Sequence, residues 1–304
     1  MRLLIATYFF MLLCCQQLIG QTTLAEESFE MDGITEVEIK GAFCDVKVEG
    51  YGSGATLYFD GAINGLSGKS YSIEFDRSGS MLQIWVESPR SNWGSVDCNL
   101  NLKLAKTTNV TVDNSSGDVF VSDLSGKSLR FEASSGDLEI RNISADLRLE
   151  TSSGDIELEN LTGELQSRSS SGDQDLSKIN GDIESYSSSG TIELQDIVGD
   201  IMAETSSGGI SLDDVKGGLK LESTSGSLRG DDVELTADAY FKSSSGSIDM
   251  DLVNEIESLD FDLKASSGSL RVGSRRAEDR LIDKRSGGYE ITGISSSGSQ
   301  RYDN

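Results

Sequence analysis

Ser152-Ser153-Gly154-Asp155-Ile156-Glu157-Leu158 decides how this chain folds, because close copies of it recur along two thirds of the sequence. Its glycine returns at Gly117, Gly136, Gly154, Gly172, Gly190, Gly208, Gly226, Gly246 and Gly268. The five steps from Gly136 to Gly226 are 18 residues each, and the flanking steps are 19, 20 and 22. A fixed period of this length marks stacked repeats, in which one unit cannot bury its apolar face until the next covers it.

Within a repeat, apolar residues fall on alternating or turn-spaced positions. The Gly154 repeat offers Ile156, Leu158, Leu161 and Leu165; the Gly190 repeat offers Ile192, Leu194, Ile197 and Ile201; the Gly208 repeat offers Ile210, Leu212, Val215 and Leu219. Glu157, Glu159, Glu193, Gln195 and Asp213 stand between them. Alternation with period 2 predicts short strands with one buried face. A second glycine follows nine residues after the first, in Gly154/Gly163, Gly172/Gly181, Gly190/Gly199 and Gly208/Gly217. Each coil therefore reads as two nonapeptide halves, with glycine at the corners for its access to positive φ. The predicted fold is all-β: a parallel β-solenoid of about 18 residues per coil, right-handed by the crossover rule, with coils about 4.8 Å apart.

The whole chain reads in four parts, one of them the repeats. Residues 1–20 have a short charged start at Arg2, an apolar run Leu3–Cys15 and a small-residue exit at Gly20, the pattern of a secretory signal. Cleavage after Ala25 is the alternative, and the apolar run is short for a bilayer span. Leu13 precedes Cys14 where a lipid-anchor motif carries a small residue. Residues 27–108 are strand-rich but irregular, a cap or a set of irregular first coils. Tyr71, Ile73 and Phe75 there face Leu82, Ile84 and Val86 as a hairpin or two adjoining strands, and Trp85 and Trp93 fall in the same region. Residues 109–272 form the regular solenoid. Residues 273–304 read as a C-terminal cap and tail, with Gln300 to Asn304 frayed.

The formal charge is −25, with no histidine and one proline, Pro89, in 304 residues. Such acidity argues against nucleic acid, whose phosphates require Lys and Arg, and against an anionic membrane surface. After signal removal two cysteines remain, Cys44 and Cys98; an exported chain meets an oxidising compartment, so they read as a disulfide, with two buried thiols as the other reading. Without histidine there is no His-based nucleophile system, and zinc is disfavoured. The serines Ser134/Ser135, Ser152/Ser153 and Ser188/Ser189 are interchangeable turn residues, whereas a catalytic serine would be singular.

The Ser-Ser-Gly-Asp-(Ile/Leu)-x-(Leu/Ile) units at 134–140, 152–158 and 170–176 resemble a bacterial domain-of-unknown-function family labelled "putative adhesin". The resemblance covers about residues 110 to 300. It implies an exported β-solenoid at the bacterial cell surface or in the periplasm with an interaction role, and it transfers no catalytic residues. Two columns of carboxylates remain to be explained: Asp137, Asp155 and Asp173 after the first glycine, and Asp146, Glu164, Asp182 and Asp200 after the half-repeat position. Like charges one strand apart repel. Screening at exposed corners relieves that; calcium held by Asp146, Glu164, Asp182 and Asp200 is the alternative. The double-glycine turn of the calcium-binding β-roll is missing, so the expectation is no cofactor. The sequence thus points to a non-enzymatic adhesin-like scaffold. Its partner would be an envelope protein, a glycan or a further copy of itself. A carbohydrate-active solenoid enzyme, or a calcium-stabilised binding module, is the alternative.

Overall fold

The structure, a computed structural model, describes residues 22–52, 54, 56–65, 70–88, 96–284 and 288–304. The expected signal segment, with Cys14 and Cys15, lies outside the described residues, as do Pro89 and Trp93. The alternative cleavage point after Ala25 falls inside a strand, Thr22–Asp32.

Among the described residues the fold is all-β apart from one short 3-10 turn, Ile256–Ser258. Two long, mostly parallel sheets of 15 and 14 strands face each other across one core. Each coil gives one strand to each sheet. In the Gly154 coil, Ile156–Thr162 enters the first sheet and Leu165–Ser169 the second. Each pairs in register with its counterpart 18 residues on, Ile156 with Gln174 and Leu165 with Ile183. The predicted inward residues are buried: Ile156, Leu158, Leu165, Ile192, Leu194, Ile201, Ile210, Leu212 and Leu219 are all at most 3% exposed.

The two halves of a coil are unequal, with seven and five residues in strand. The first-sheet strand carries an irregularity at Asn160, whose φ is 65°. That residue interrupts the alternation, so Leu158 and Leu161, three apart, both point inward. The same left-handed position recurs as Asp123, Asn142, Lys178, Asp196, Asp214 and Asp232, with φ from 50° to 61°. Asp and Asn tolerate this conformation better than other residues with a Cβ.

The main glycine column holds a different role from the one expected. Gly136, Gly154, Gly172, Gly190, Gly208, Gly226 and Gly246 are not at positive φ. A Cβ at Gly154 would fall on the carbonyl oxygen of Gly136, one at Gly172 on that of Gly154, and so along the column. These corners stack backbone directly on backbone. Positive φ does apply at the half-period, where Gly163 and Gly181 sit at 144° and 154°.

Both ends depart from chain order. The coil formed by Glu36–Ala42 and Asp45–Tyr51 lies next to Asn109–Asn114 and Val119–Ser122. Met81–Glu87 and Val96–Ala105 then stack outside it. Antiparallel strands finish the end: Ser72–Ser78 on the second sheet, as the expected hairpin with Met81–Glu87, and Thr56–Gly65 and Thr22–Asp32 on the first. The C-terminal end mirrors this. Glu290–Ser297 inserts between Ala239–Ser243 and Asp260–Ser267, and Gln300–Asp303 between Ile248–Leu252 and Leu270–Val272. Arg275–Ala277 and Arg280–Asp283 cover the edge. The expectation of a frayed tail at Gln300 to Asn304 is therefore corrected: Tyr302 is fully buried, and the last strand is an internal rung. A repeat pattern states that a segment stacks, but not on which neighbour.

Candidate functional site: corner ladders and end grooves

The carboxylate columns are ladders of side-chain-to-backbone hydrogen bonds. In the first, the Asp45 carboxylate accepts from the N–H of Asp118 at 3.1 Å, Asp118 from Asp137 at 3.0 Å, Asp137 from Asp155 at 2.8 Å, Asp155 from Asp173 at 2.8 Å and Asp173 from Thr191 at 2.7 Å. In the second, Asp146 accepts from the N–H of Glu164 at 3.3 Å, Asp182 from Asp200 at 2.9 Å and Asp200 from Gly218 at 2.8 Å. Parallel strands leave a corner N–H without a ladder partner. A short carboxylate one coil away satisfies it with a charge-assisted bond, and this offsets the repulsion between neighbouring acids. Where the first column loses its acids, hydroxyls continue: the Ser227 hydroxyl oxygen accepts from the N–H of Ser247 at 3.3 Å. The structure does bring Asp146, Glu164, Asp182 and Asp200 onto one corner, where the Asp146, Asp182 and Asp200 carboxylates accept from the next coil and Glu164 takes part through its N–H. Among the described residues no group of three acidic or cysteine side chains converges as a metal site.

A second ladder runs inside the Ser-Ser-Gly corner. From Gly154 to Gly246 the residue three before each column glycine is a buried hydroxyl: Thr151, Ser169, Ser187, Thr205, Ser223 and Ser243. Each accepts from the N–H of its own glycine, at 2.8 to 3.1 Å. Thr205, Ser223 and Ser243 also donate to the glycine carbonyl of the preceding coil. Asn114 takes the equivalent place in the first regular coil, but there its amide only donates, to the Cys44 carbonyl at 2.9 Å and to that of Gly117. The buried hydroxyls satisfy backbone groups of the corner.

Cys44 stands where this corner has glycine, since Ala42-Phe43-Cys44-Asp45-Val46 aligns with Ser115-Ser116-Gly117-Asp118-Val119 in the pairing. Asp45 pairs with Asn99, which places Cys98 at the equivalent point one coil further out. The two are joined as a disulfide, with Cα atoms 4.5 Å apart. The glycine column therefore ends in a covalent link between its last two rungs.

Outward residues fall into registered columns on two flat faces. Glu139, Glu157, Asp175 and Glu193 run along the first sheet. Arg141 lies among them, 2.8 Å from Glu139 and 3.0 Å from Glu157, and holds an arginine pKa raised chiefly by its hydrogen bond to Glu157. Such exposed pairs contribute little to stability. The acid column of the second sheet is broken at Gly218, and a groove opens there against Asp182, Asp200, Lys220, Asp238 and Tyr240. Two further grooves lie at the N-terminal end, one beside Tyr58 and Lys103, the other beside Trp85 and Glu38. Sequence reasoning missed both. Their only signal was the loss of repetition in a region rich in aromatic residues.

Several solved structures are similar to this chain at low identity. A crystal structure of a putative adhesin from Bacteroides fragilis is 11% identical, with a TM-score of 0.35, over 91% of this chain and 96% of that one. One from Parabacteroides distasonis is 12% identical, with a TM-score of 0.34, over the same shares. A putative cell adhesion protein from Clostridium sporogenes is 11% identical, with a TM-score of 0.23, over 91% of this chain and 98% of that one. The chain has no match among curated proteins. The sequence profile of the Toastrack DUF4097 family matches residues 83–201 and again 200–303, so this chain belongs to the Toastrack DUF4097 family.

Proposed function

We propose that this chain is a non-enzymatic, adhesin-like scaffold, exported to the periplasm or cell surface, that presents its two sheet faces to an envelope protein or a glycan. One observation supports this most: outward side chains form registered columns along two continuous sheets, so one contact type repeats on successive rungs. Such a face suits an extended or repetitive partner, because many weak contacts add up when the spacing matches. Three of the column carboxylates, Asp137, Asp155 and Asp182, each accept from a backbone N–H of the next coil, which supports a structural use for them. No helix among the described residues is long and apolar enough to cross a membrane.

The test is to immobilise the full chain and challenge it with envelope polysaccharides and with detergent-extracted envelope proteins. Saturable retention of one class, without shortening of any polysaccharide, is expected. Cleavage of a polysaccharide, or retention of neither class, would overturn the reading.

A further inference from the structure

The groove at the N-terminal end of the second sheet holds Trp85, the one tryptophan among the described residues. Across this face one row of outward positions reads Trp85, Lys40, Asp113, Glu132, Glu150 and Arg168 in register. Charged residues fill the row from Lys40 to Arg168, and the next aromatic, Tyr186, follows with its ring centroid 4.8 Å from the Arg168 guanidinium. Trp85 stands on the strand Met81–Glu87, half-buried and lining the groove with Glu38, Lys40, Gln83 and Asp113. An indole facing outward on a strand costs solvation and adds nothing to the core, so its place is explained best by what it contacts outside.

The groups around it are fixed in advance. The Gln83 amide donates to one oxygen of Glu38 at 2.7 Å, and the Lys40 ammonium lies 3.0 Å from the other. First Gln83 and then Lys40 hold the Glu38 carboxyl below the usual carboxylate range. Glu38 is thus an ionised acceptor in a set orientation, with lone pairs left over. Its side chain keeps 25% of its surface exposed, and that of Lys40 keeps 60%. A flat aromatic surface beside a rigid acceptor and a mobile donor matches a ring with an apolar C–H face and hydroxyls at its rim.

We propose that this groove binds one neutral pyranose unit of an envelope glycan, stacked on Trp85, with hydroxyls that donate to Glu38 and accept from Lys40. This deepens the scaffold reading and rests on it. Charge selects the neutral class: Glu38 and Asp113 line the groove, and a chain with net charge −25 repels uronate or phosphate sugars. Rigid strands carry the groups, so little order is lost on binding.

The experiment titrates the full chain with three neutral tetrasaccharides, a β-1,4-glucan, a β-1,4-N-acetylglucosamine oligomer and an α-mannan fragment, beside polygalacturonate as the anionic probe. Binding is read by saturation-transfer NMR and calorimetry. At least one neutral probe binds, with a dissociation constant on the order of 1 mM for a single-ring site, and the anionic probe does not. Trp85→Ala weakens that binding at least about tenfold, Trp85→Phe retains part of it, and Glu38→Gln weakens it several-fold. Trp85→Phe guards against an unfolded alanine variant, because it keeps a ring on the same strand. Equal binding by the full chain and by Trp85→Ala would overturn this site while leaving a glycan-binding scaffold in place. Failure of every neutral probe would also overturn it, and retention of an envelope protein in the separate capture experiment would then leave the scaffold reading standing with a protein partner.

Discussion

At its N-terminal end the stack closes with aromatic rings and a disulfide; at its C-terminal end it closes with arginine–carboxylate pairs and a buried phenol. Phe29 packs against Phe59 and Phe75, with ring centroids 4.9 and 4.5 Å apart, and so bridges the two sheets. Cys44–Cys98 ties the tucked coil to the one outside it. At the other end Arg280 meets Asp262, Arg271 meets Asp303 and Arg275 meets Asp283. Beneath them Tyr302 lies against Phe241 and Phe261 and donates to the Gln300 side-chain oxygen at 3.2 Å. Burial pushes the Tyr302 phenol pKa up, which keeps it protonated as a donor. Both ends tuck a terminal coil one place inward and cover it with antiparallel strands. Among the described residues that arrangement puts an antiparallel strand at every extreme of the two sheets. What differs is the lock, covalent in one case and a hydrogen-bonded network in the other. Between them the regular rungs need neither, because each corner satisfies its neighbour.

The largest expected effect lies between the two ends, in the glycine column. Gly172→Ala places a methyl group on the Gly154 carbonyl, which is backbone and cannot move aside without displacing its own neighbour. A loss of about 3 kcal/mol or more is expected in urea denaturation, as for overpacked cores. The same change at Gly79, where nothing lies within 4 Å but φ is +65°, should cost no more than about 1–2 kcal/mol. Equal costs at the two sites would mean that conformation, not backbone contact, selects glycine in the column.

The locks come next. Replacing both Cys44 and Cys98 by serine should cost about 2–4 kcal/mol, since the bridge closes a loop with a sequence separation of 54. Proteolysis of the variant should begin in residues 22–105, with the regular coils still protected. Protection lost uniformly would show that the ends are not separate cooperative units. Tyr302→Phe keeps the ring and removes the hydroxyl, leaving the Gln300 oxygen short of a donor. A loss of about 1–2 kcal/mol is expected in the same denaturation series. No loss would show that aromatic packing alone holds the C-terminal end.

The smallest effect is a gain. Lys178 occupies the left-handed position that Asn or Asp fills in the other coils, at φ 56°. Lys178→Asn should stabilise by roughly 0.5–1 kcal/mol through that conformation. Loss of the exposed Lys178–Glu159 pair at 2.7 Å subtracts little. A lower melting temperature would show that the pair outweighs the backbone preference.

The 18-residue period made the coil legible in the sequence, and the alternation of Ile156, Leu158, Ile192 and Leu194 made the core legible. Four features were not. Asn142, Asn160 and Asp196 recur at a fixed offset, but among so many polar residues their left-handed backbone has no signature except that offset. The tucked coils were hidden because Ile291, Gln300 and Tyr302 show the same pattern whichever rung they join. The partners of the acid columns were hidden because a backbone N–H is common to nearly every residue. Asp173 followed by Thr191 reads as the end of an acid column. In the structure it is one more carboxylate capping one more N–H. The grooves beside Trp85 and Tyr58 form where the repeat fails, so a reading built on the repeat passes over them.

The central claim is that the repeated carboxylates serve the backbone of the next coil and hold no metal. The melting temperature of the full chain and of Asp182→Asn, in calcium chloride and in sodium chloride at matched ionic strength, tests it most directly. Asparagine keeps an oxygen that can accept from the Asp200 N–H, so the account predicts nearly equal melting temperatures for both proteins in both salts. A rise specific to calcium, growing with the logarithm of its free concentration and absent in Asp182→Asn, would contradict it.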